Sequence, residues 1–283
     1  MTRYLITGAA GMLGQDLQQA LAGRDVTALS RADLDITDQD AVAAAVAGHD
    51  VVVNAAAYTK VDDAESHEDD AAAVNARGPA VLADAAVAAG ARLVHVSTDY
   101  VFDGNGTSPY REDEPTDPIG AYGRTKAAGE AAVRRIAPDS SMVIRAAWLY
   151  GAGGPNFAKT MIRLAGSHET VSVVTDQVGQ PTWTGDLARQ IVAMLDAEVP
   201  AGIYHGTNGG QASWYDFTRA IFTEVGLDPE RVRPTDSSAF VRPAPRPAYS
   251  VLGHDAWARV GVPAMRDWRE ALHAAAEAGV LTA

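Results

Sequence analysis

Short apolar runs alternate with alanine-rich segments over the first half of the chain. The runs are rich in β-branched residues and nearly continuous, which is typical of strands covered on both faces. They predict strands at Tyr4–Thr7, Val26–Leu29, Val51–Asn54, Arg92–Ser97 and Met142–Ala146. Strands that alternate with helices predict an α/β fold, a doubly wound parallel sheet of the Rossmann type.

The segments between these strands have the apolar spacing of amphipathic helices. Between the first two strands, Leu13, Leu17 and Leu21 recur at helical intervals. Thr37 followed by Asp40 resembles a capping box, which predicts a helix over 41–47.

The regular alternation ends near residue 150. Glycine, proline and tryptophan become denser in GAGGPNF, GQPTWTG and RPAPRPAYS, and loops lengthen. This composition predicts a second, smaller α+β lobe whose loops bind substrate, and within it RPAPRP is better interpreted as a rigid loop than as a polyproline ligand. We therefore expect a first domain over 1–150, to which roughly 171–195 returns, and a substrate lobe over most of 151–283.

Composition narrows the classes of function. The 283 residues are 47% hydrophobic and 21% charged, as in ordinary globular proteins. A formal net charge of −13 argues against binding to nucleic acid or to an anionic membrane surface. The chain has no cysteine, and we expect no signal peptide because MTRYLITGAAG enters a strand at once. A cytoplasmic protein is the simplest interpretation.

A glycine loop follows the first predicted strand. ITGAAGMLGQDL places Gly8, Gly11 and Gly14 between a strand and a helix. Glycine allows the backbone to approach a pyrophosphate, and the helix N-terminus supplies free N–H groups. Although a tight structural turn would need the same glycines, the strand before and the helix after favour dinucleotide binding.

The end of the second predicted strand bears on the choice of dinucleotide. An acidic residue here would hold the ribose 2′-hydroxyl of NAD, whereas this chain has Ser30 and Arg31. A hydroxyl and a guanidinium favour a 2′-phosphate, so we expect NADPH, with NADH still possible because Asp33 and Asp35 follow. The run DLDITDQD lacks the glycine and final glutamate of a calcium loop.

AYGRTKAAGE places Tyr122 and Lys126 four residues apart at the start of a predicted helix over 122–135. Residues at this spacing share a helix face. An ammonium near a phenol stabilises the phenolate, and we therefore expect a lowered pKa at Tyr122. Thr98, at the carboxyl end of the fourth strand, would hold a substrate oxygen that Tyr122 protonates. A chance pair of surface residues is the alternative.

The ordered motifs resemble those of the extended short-chain dehydrogenase/reductases and, more narrowly, the dTDP-4-dehydrorhamnose reductase family. The matching stretches are GAAGMLGQDL, NAAAYTKVDDAE, VNARGP, VSTDYVFDG, YGRTKAAGE, RAAWLYG, NFAKTMIRLA, DQVGQPTW and RPAPRPAYSVL. The resemblance implies reduction of the 4-keto group of a dTDP-6-deoxy-hexulose with a nicotinamide cofactor, the last step to dTDP-L-rhamnose.

The resemblance also implies residue roles. The catalytic residues would be Thr98, Tyr122 and Lys126. The predicted cofactor-binding residues are Gly8, Gly11, Met12, Leu13, Ser30, Arg31, Asp35, Ile36, Ala55, Ala56, Ala57, Tyr122 and Lys126. The predicted substrate-binding residues are Thr98, Asp99, Tyr100, Tyr122, Trp148, Asn156, Gln180 and Arg242, and no metal site is predicted.

Three alternatives stay open at this point. A related 4-ketoreductase of a deoxysugar pathway would carry the same motifs. A sugar-nucleotide 4,6-dehydratase would need a carboxylate base where this chain has Tyr100. A noncatalytic nucleotide-binding regulatory subunit would share the fold. Gly253 replaces an aspartate usual in the family, and metal dependence and the choice between monomer and homodimer are undetermined by the sequence.

Overall fold

The computed structural model describes residues 1–282. Within that range the strands are β1 (Arg3–Thr7), β2 (Asp25–Leu29), β3 (Val51–Asn54), β4 (Arg92–Thr98), β5 (Ser141–Ala146), β6 (Leu149–Tyr150), β7 (Val171–Val174), β8 (Val178–Gly179), β9 (Thr182–Trp183), β10 (Gly202–His205), β11 (Ala212–Ser213) and β12 (Val232–Thr235).

The α-helices of the same range are α1 (Met12–Ala20), α2 (Gln39–Val46), α3 (Val61–Ala64), α4 (Glu68–Ala72), α5 (Gly78–Ala89), α6 (Ala121–Ile136), α7 (Phe157–Ala165), α8 (Thr184–Asp196), α9 (Trp214–Glu224), α10 (Asp255–Val260) and α11 (Trp268–Glu277). A π-helical turn at Ala73–Arg77 joins α4 to α5. Among the residues described, no helix combines the length and the apolar character that a membrane span requires.

A six-stranded sheet organises the first half of the described chain. Its order is β10-β5-β4-β3-β1-β2, and all its pairings are parallel. The five strands predicted from the apolar runs are confirmed. The sixth, β10, was not predicted, and it joins the sheet beside β5 from far along the sequence.

Helices cover both faces of this sheet, as the doubly wound prediction requires. Alternate residues of one strand point to opposite faces. Val53 therefore packs with Leu17 of α1 and Ile191 of α8, whereas Val52 packs with Leu82 of α5. Because both faces are covered, the apolar runs in the sequence are continuous rather than alternating.

The smaller lobe has its own apolar core. Helices α7, α9 and α11 supply buried residues that include Ala158, Phe217, Ile221 and Leu272. Its short strands pair as β7 with β12, β8 with β11 and β6 with β9.

We expected the segment 171–195 to return to the first domain, and the structure divides it between two places. β7 pairs within the smaller lobe, whereas α8 packs on α1 against the main sheet. The proposed boundary near residue 150 stays a prediction. The start of α2 differs from expectation: Asp38, not Thr37, caps it by accepting from the backbone N–H groups of Asp40 and Ala41, while the Thr37 hydroxyl donates to Asp35.

Candidate active site

The glycine loop has the geometry that a dinucleotide phosphate requires. Gly8 has φ of +74°, and a Cβ there would lie 2.5 Å from the backbone nitrogen of Ala56, so a larger residue is excluded. The Gly11 N–H donates to the Gly8 carbonyl at 3.0 Å, and α1 then begins at Met12 without a side-chain cap. The N–H groups of its first turn, including that of Leu13, are therefore available to an anion.

The other predicted cofactor residues differ in exposure. The side chains of Leu13 and Ile36 are buried in the two cores, so only their backbones are available to a ligand. Ala55–Ala57 are half-buried at the carboxyl end of β3, where the Asn54 side chain accepts from the Ala56 N–H. Asp35 is exposed and accepts from the amide and hydroxyl of Thr37.

The residues predicted to choose between cofactors lie at the end of β2. Asp33 accepts from both the amide and the hydroxyl of Ser30, at 2.9 and 2.6 Å. Arg31 is exposed and forms no hydrogen bond or ion pair with the residues that the structure describes. Its guanidinium is thus the cation available for a 2′-phosphate, whereas the Ser30 hydroxyl is already engaged.

Helix α6 carries Tyr122 and Lys126 on one face, against the carboxyl end of β4. Lys126 is 1% exposed, and its Nζ donates to the Val96 carbonyl at 2.7 Å. Burial lowers the pKa of Lys126 to about 8, an effect that the charge of Glu130 opposes.

The phenol of Tyr122 lies beside the end of β4. Burial raises the pKa of Tyr122 to about 12; the Thr98 hydroxyl opposes this rise and the charge of Asp99 adds to it. The sequence led us to expect a lowered pKa from Lys126. That expectation was wrong for this structure because burial dominates and the ammonium is bound to Val96.

Tyr100 forms one wall beside the phenol. Its ring meets that of Tyr122 edge to face, with centroids 5.6 Å apart. Burial raises the pKa of Tyr100, so its hydroxyl stays protonated at neutral pH.

Asn75 links α6 to the loop after β3, a role that the sequence reasoning did not assign. From the π-helical turn, its side chain accepts from the Tyr58 amide at 2.8 Å and donates to the Tyr58 carbonyl and the Thr125 hydroxyl. π-Helical turns are frequent at functional sites. The motif VNARGP was the available signal.

Two acidic residues, one in α3 and one at its C-terminus, also bear on the site. Glu65 accepts from the N–H of Ala121 at 2.8 Å and so occupies the start of α6. Asp62 lies 2.9 Å from the Arg246 guanidinium and 3.9 Å from that of Arg242. Arg242 is largely exposed, and sequence reasoning missed both Arg246 and Asp62.

Trp148 has an unusual backbone. Its φ of +46° is in the left-handed region, which is costly for a bulky residue. Its indole stacks on Trp214, with centroids 3.4 Å apart and planes at 5°, and Trp214 in turn donates to Gln177. The prediction did not include Trp214, although a capping box at Ser213 marks the start of its helix.

The structure gives two predicted substrate residues other partners. Gln180 is 2% exposed, donates to the Leu252 carbonyl, and accepts from the Leu252 amide and the Thr207 hydroxyl. Asn156 caps α7 by accepting from the Lys159 amide. The polar atoms of both side chains are bonded within the protein, and their contact with a substrate stays a prediction.

Within residues 1–282, no group of three or more histidine, aspartate or glutamate side chains is arranged to hold a metal ion.

Comparisons with known proteins identify the family of this chain. The family model described as RmlD substrate binding domain matches residues 2–280. The dTDP-4-dehydrorhamnose reductase of Streptomyces griseus is 54% identical over 278 residues, which cover 95% of this chain and 91% of that protein. A probable dTDP-4,6-dihydroxy-2-methyloxan-3-one 4-ketoreductase of Streptomyces antibioticus is 52% identical, covering 96% and 94%.

A solved structure is similarly close. The dTDP-4-dehydrorhamnose reductase of Bacillus anthracis, in complex with NADP, superimposes with a TM-score of 0.93 at 38% identity, covering 97% of this chain and 99% of that one. The chain therefore belongs to the dTDP-4-dehydrorhamnose reductase family, a family of oxidoreductases.

Proposed function

We propose that this protein reduces the 4-keto group of dTDP-4-dehydro-L-rhamnose with NADPH, giving dTDP-L-rhamnose. The observation that carries the proposal is the grouping of Thr98, Tyr122 and Lys126 at the carboxyl end of β4, beside the glycine loop. In open α/β sheets, ligands bind at this edge.

The residues present fit a nicotinamide dinucleotide. The uncapped start of α1 is suited to its pyrophosphate, and Gly8 leaves room that a Cβ would fill. Arg31 is suited to a 2′-phosphate. The NADP complex of the Bacillus anthracis relative supports NADPH as the cofactor.

The chain's own residues supply a proton and hold the substrate oxygen. NADPH, when bound, provides the hydride for the carbonyl carbon. Tyr122 donates its proton to the carbonyl oxygen, and a pKa of about 12 keeps the phenol protonated at neutral pH. The Thr98 hydroxyl orients that oxygen. Lys126, on the same face of α6 as Tyr122, would hold the ribose of the nicotinamide.

Tyr100 argues against dehydration as the reaction. A 4,6-dehydratase removes a weakly acidic carbon-bound proton, which requires a base that is ionised near neutral pH. Burial raises the pKa of Tyr100 above its ordinary value, so its phenol is a poor base. Reduction needs no base at this position.

The substrate itself has a second candidate. The Streptomyces antibioticus ketoreductase matches nearly as closely as the Streptomyces griseus reductase, with 52% against 54% identity. A related dTDP-4-keto-deoxysugar is therefore the alternative substrate.

One assay tests both candidates. The purified protein is mixed with NADPH and each of a small panel of dTDP-4-keto-sugars, absorbance is followed at 340 nm, and the product is identified by NMR. We expect the fastest turnover with dTDP-4-dehydro-L-rhamnose. Faster turnover of another keto-sugar would assign the alternative substrate, and tight NADPH binding without any turnover would indicate a regulatory subunit.

A further inference from the structure

Asp99 is a buried carboxylate that the mechanism above does not use. It directly follows β4, and the residue is 2% exposed. Its Oδ1 accepts from the Thr98 hydroxyl at 3.0 Å. Its Oδ2 is buried and accepts no bond of good geometry, although the Ser250 hydroxyl lies near enough to lower the pKa of the carboxyl. A buried carboxylate with so few partners is costly and calls for a physical explanation.

The hydroxyl of Thr98 has a single proton, and in this structure Asp99 receives it. The same hydroxyl oxygen accepts from the Tyr100 amide at 3.3 Å. The Thr98 hydroxyl also acts on the Tyr122 phenol, so Asp99 and Tyr122 compete for its one proton. To donate to a substrate oxygen, the hydroxyl must turn away from Asp99, and protonation of the carboxylate makes that turn easier.

The charge of Asp99 also acts on the phenol. It raises the pKa of Tyr122, which favours the protonated form needed to reduce a carbonyl. Asp99 itself titrates near neutrality: burial raises its pKa to about 6, while Ser250 and Thr98 oppose the rise. The other titratable or charged groups around it are Tyr100 and Tyr122, with Asp62 and Arg246 acting on Tyr100.

We infer that Asp99 is a positioning residue that directs the proton of the Thr98 hydroxyl. Only the kinetic test of this inference depends on the proposed function. The substrate contact that the sequence predicted for Asp99 stays a prediction.

The direct test is a titration that needs no turnover. In protein labelled with ¹³C at the aspartate carboxyl, we expect one resonance to titrate near pH 6 and to be absent from Asp99→Asn. Thr98→Val removes the donor to Oδ1 and should move that titration up by about one pH unit. A carboxyl that titrates below pH 5, or one that Thr98→Val leaves unmoved, would overturn the inference.

The kinetic test is the pH profile of kcat/KM between pH 5 and 7, below the range in which Lys126 titrates, with NADPH and dTDP-4-dehydro-L-rhamnose. We expect an inflection near pH 6 in the wild type and a flat profile in Asp99→Asn. Asp103→Asn is the matched control because Asp103 lies on the same segment and accepts from Tyr110; it should keep the inflection.

The two tests separate failure of the inference from failure of the proposed function. An inflection retained in Asp99→Asn would overturn the inference while leaving the reduction intact. If no keto-sugar is turned over but the coupled carboxyl titration is observed, the proposed function fails and the link between Asp99 and Thr98 stands.

Discussion

The ammonium of Lys126 donates to the backbone carbonyl of Val96 at 2.7 Å, so the lysine is held by the central sheet. Val96 belongs to β4, the strand that also ends in Thr98. One strand therefore fixes both the threonine and the lysine of the proposed catalytic set. Burial of a charge at this point has a cost, and that cost makes the role of Lys126 testable through stability.

Lys126→Met should stabilise the protein at neutral pH while impairing catalysis. Below about pH 8 the lysine is charged in both states, and the folded state bears the full cost of burying the ammonium; above about pH 10.5 it is neutral in both and the cost is gone. The pKa shift of Lys126 corresponds to about 3 kcal/mol of stability, which the variant gains. The variant also loses the hydrogen bond to Val96, which costs about 1 kcal/mol.

The measurement is the free energy of unfolding from pH 7 to 11. The variant should exceed the wild type by about 2 kcal/mol at pH 7, and its advantage should disappear near pH 10.5. Lys60→Met, at an exposed lysine, should change stability by less than about 0.5 kcal/mol. A destabilised Lys126→Met protein at pH 7 would contradict the argument.

Tyr122→Phe should lower kcat by roughly 100-fold or more, because it removes the proton donor. The ring stays, so its edge contact with Tyr100 and the dissociation constant of NADPH should be nearly unchanged. Stopped-flow reduction and fluorescence titration with NADPH measure the two quantities. Tyr110→Phe is the control, since the Tyr110 hydroxyl donates to Asp103 and its ring stacks on Phe102, so that this phenol takes no part in the proposed proton transfer. Wild-type turnover by Tyr122→Phe would remove the proposed role.

How far the sequence predicts the structure depends on how local each signal is. The glycine loop and the face shared by Tyr122 and Lys126 follow from the order of neighbouring residues, and the structure has both elements. Strand β10 was missed because GIYH is short and its partner β5 lies about sixty residues earlier. Such a pairing leaves no local pattern.

The sequence also did not reveal the hydrogen-bond partners of the side chains. Gln180 and Asn156 stand in motifs that suggested substrate contacts. In the structure Gln180 bonds to Leu252, which is distant in the chain, and Asn156 bonds to the nearby Gly151. The sign of the Tyr122 pKa shift depends on how deeply the phenol is buried, which spacing alone does not reveal. Periodicity thus predicted elements, whereas burial and hydrogen-bond partners required the folded arrangement.

Arg31→Ala should weaken NADPH more than NADH. The guanidinium is unpaired among the described residues, so it can bind a 2′-phosphate without breaking another contact. Loss of a charge-assisted contact should raise the KM for NADPH roughly tenfold and leave that for NADH within about twofold. Arg3→Ala is the control because Arg3 lies at the amino end of β1, whereas Arg31 follows the carboxyl end of β2. Equal losses for both cofactors would argue against the preference.

Arg145→Met should strongly destabilise the protein. Arg145 and Glu130 form a buried pair at 2.7 Å, with side chains 2% and 5% exposed. Removing the cation leaves Glu130 charged and buried, at a cost of about 3–5 kcal/mol. Chemical denaturation should show this loss, and the double variant with Glu130→Met should recover much of it. Breaking the more exposed Arg24–Asp196 pair by Arg24→Ala should cost less than about 1 kcal/mol.

Gly179→Ala should displace the indole of Trp148. A Cβ at Gly179 would lie 2.5 Å from the Trp148 ring, so the ring has to shift from its present stack on Trp214. The stacked indoles should give an exciton couplet in circular dichroism, and the variant should lose it. If Trp148 contacts the sugar, the KM for the sugar nucleotide should rise roughly tenfold while the dissociation constant of NADPH is unchanged.

Gly202→Ala, where a Cβ would meet Tyr204 only at ordinary contact distance, should preserve the couplet and the KM. Because the couplet reports the stack and the KM reports the substrate, a lost couplet with an unchanged KM would separate the indole's packing from substrate binding and remove Trp148 from the substrate site.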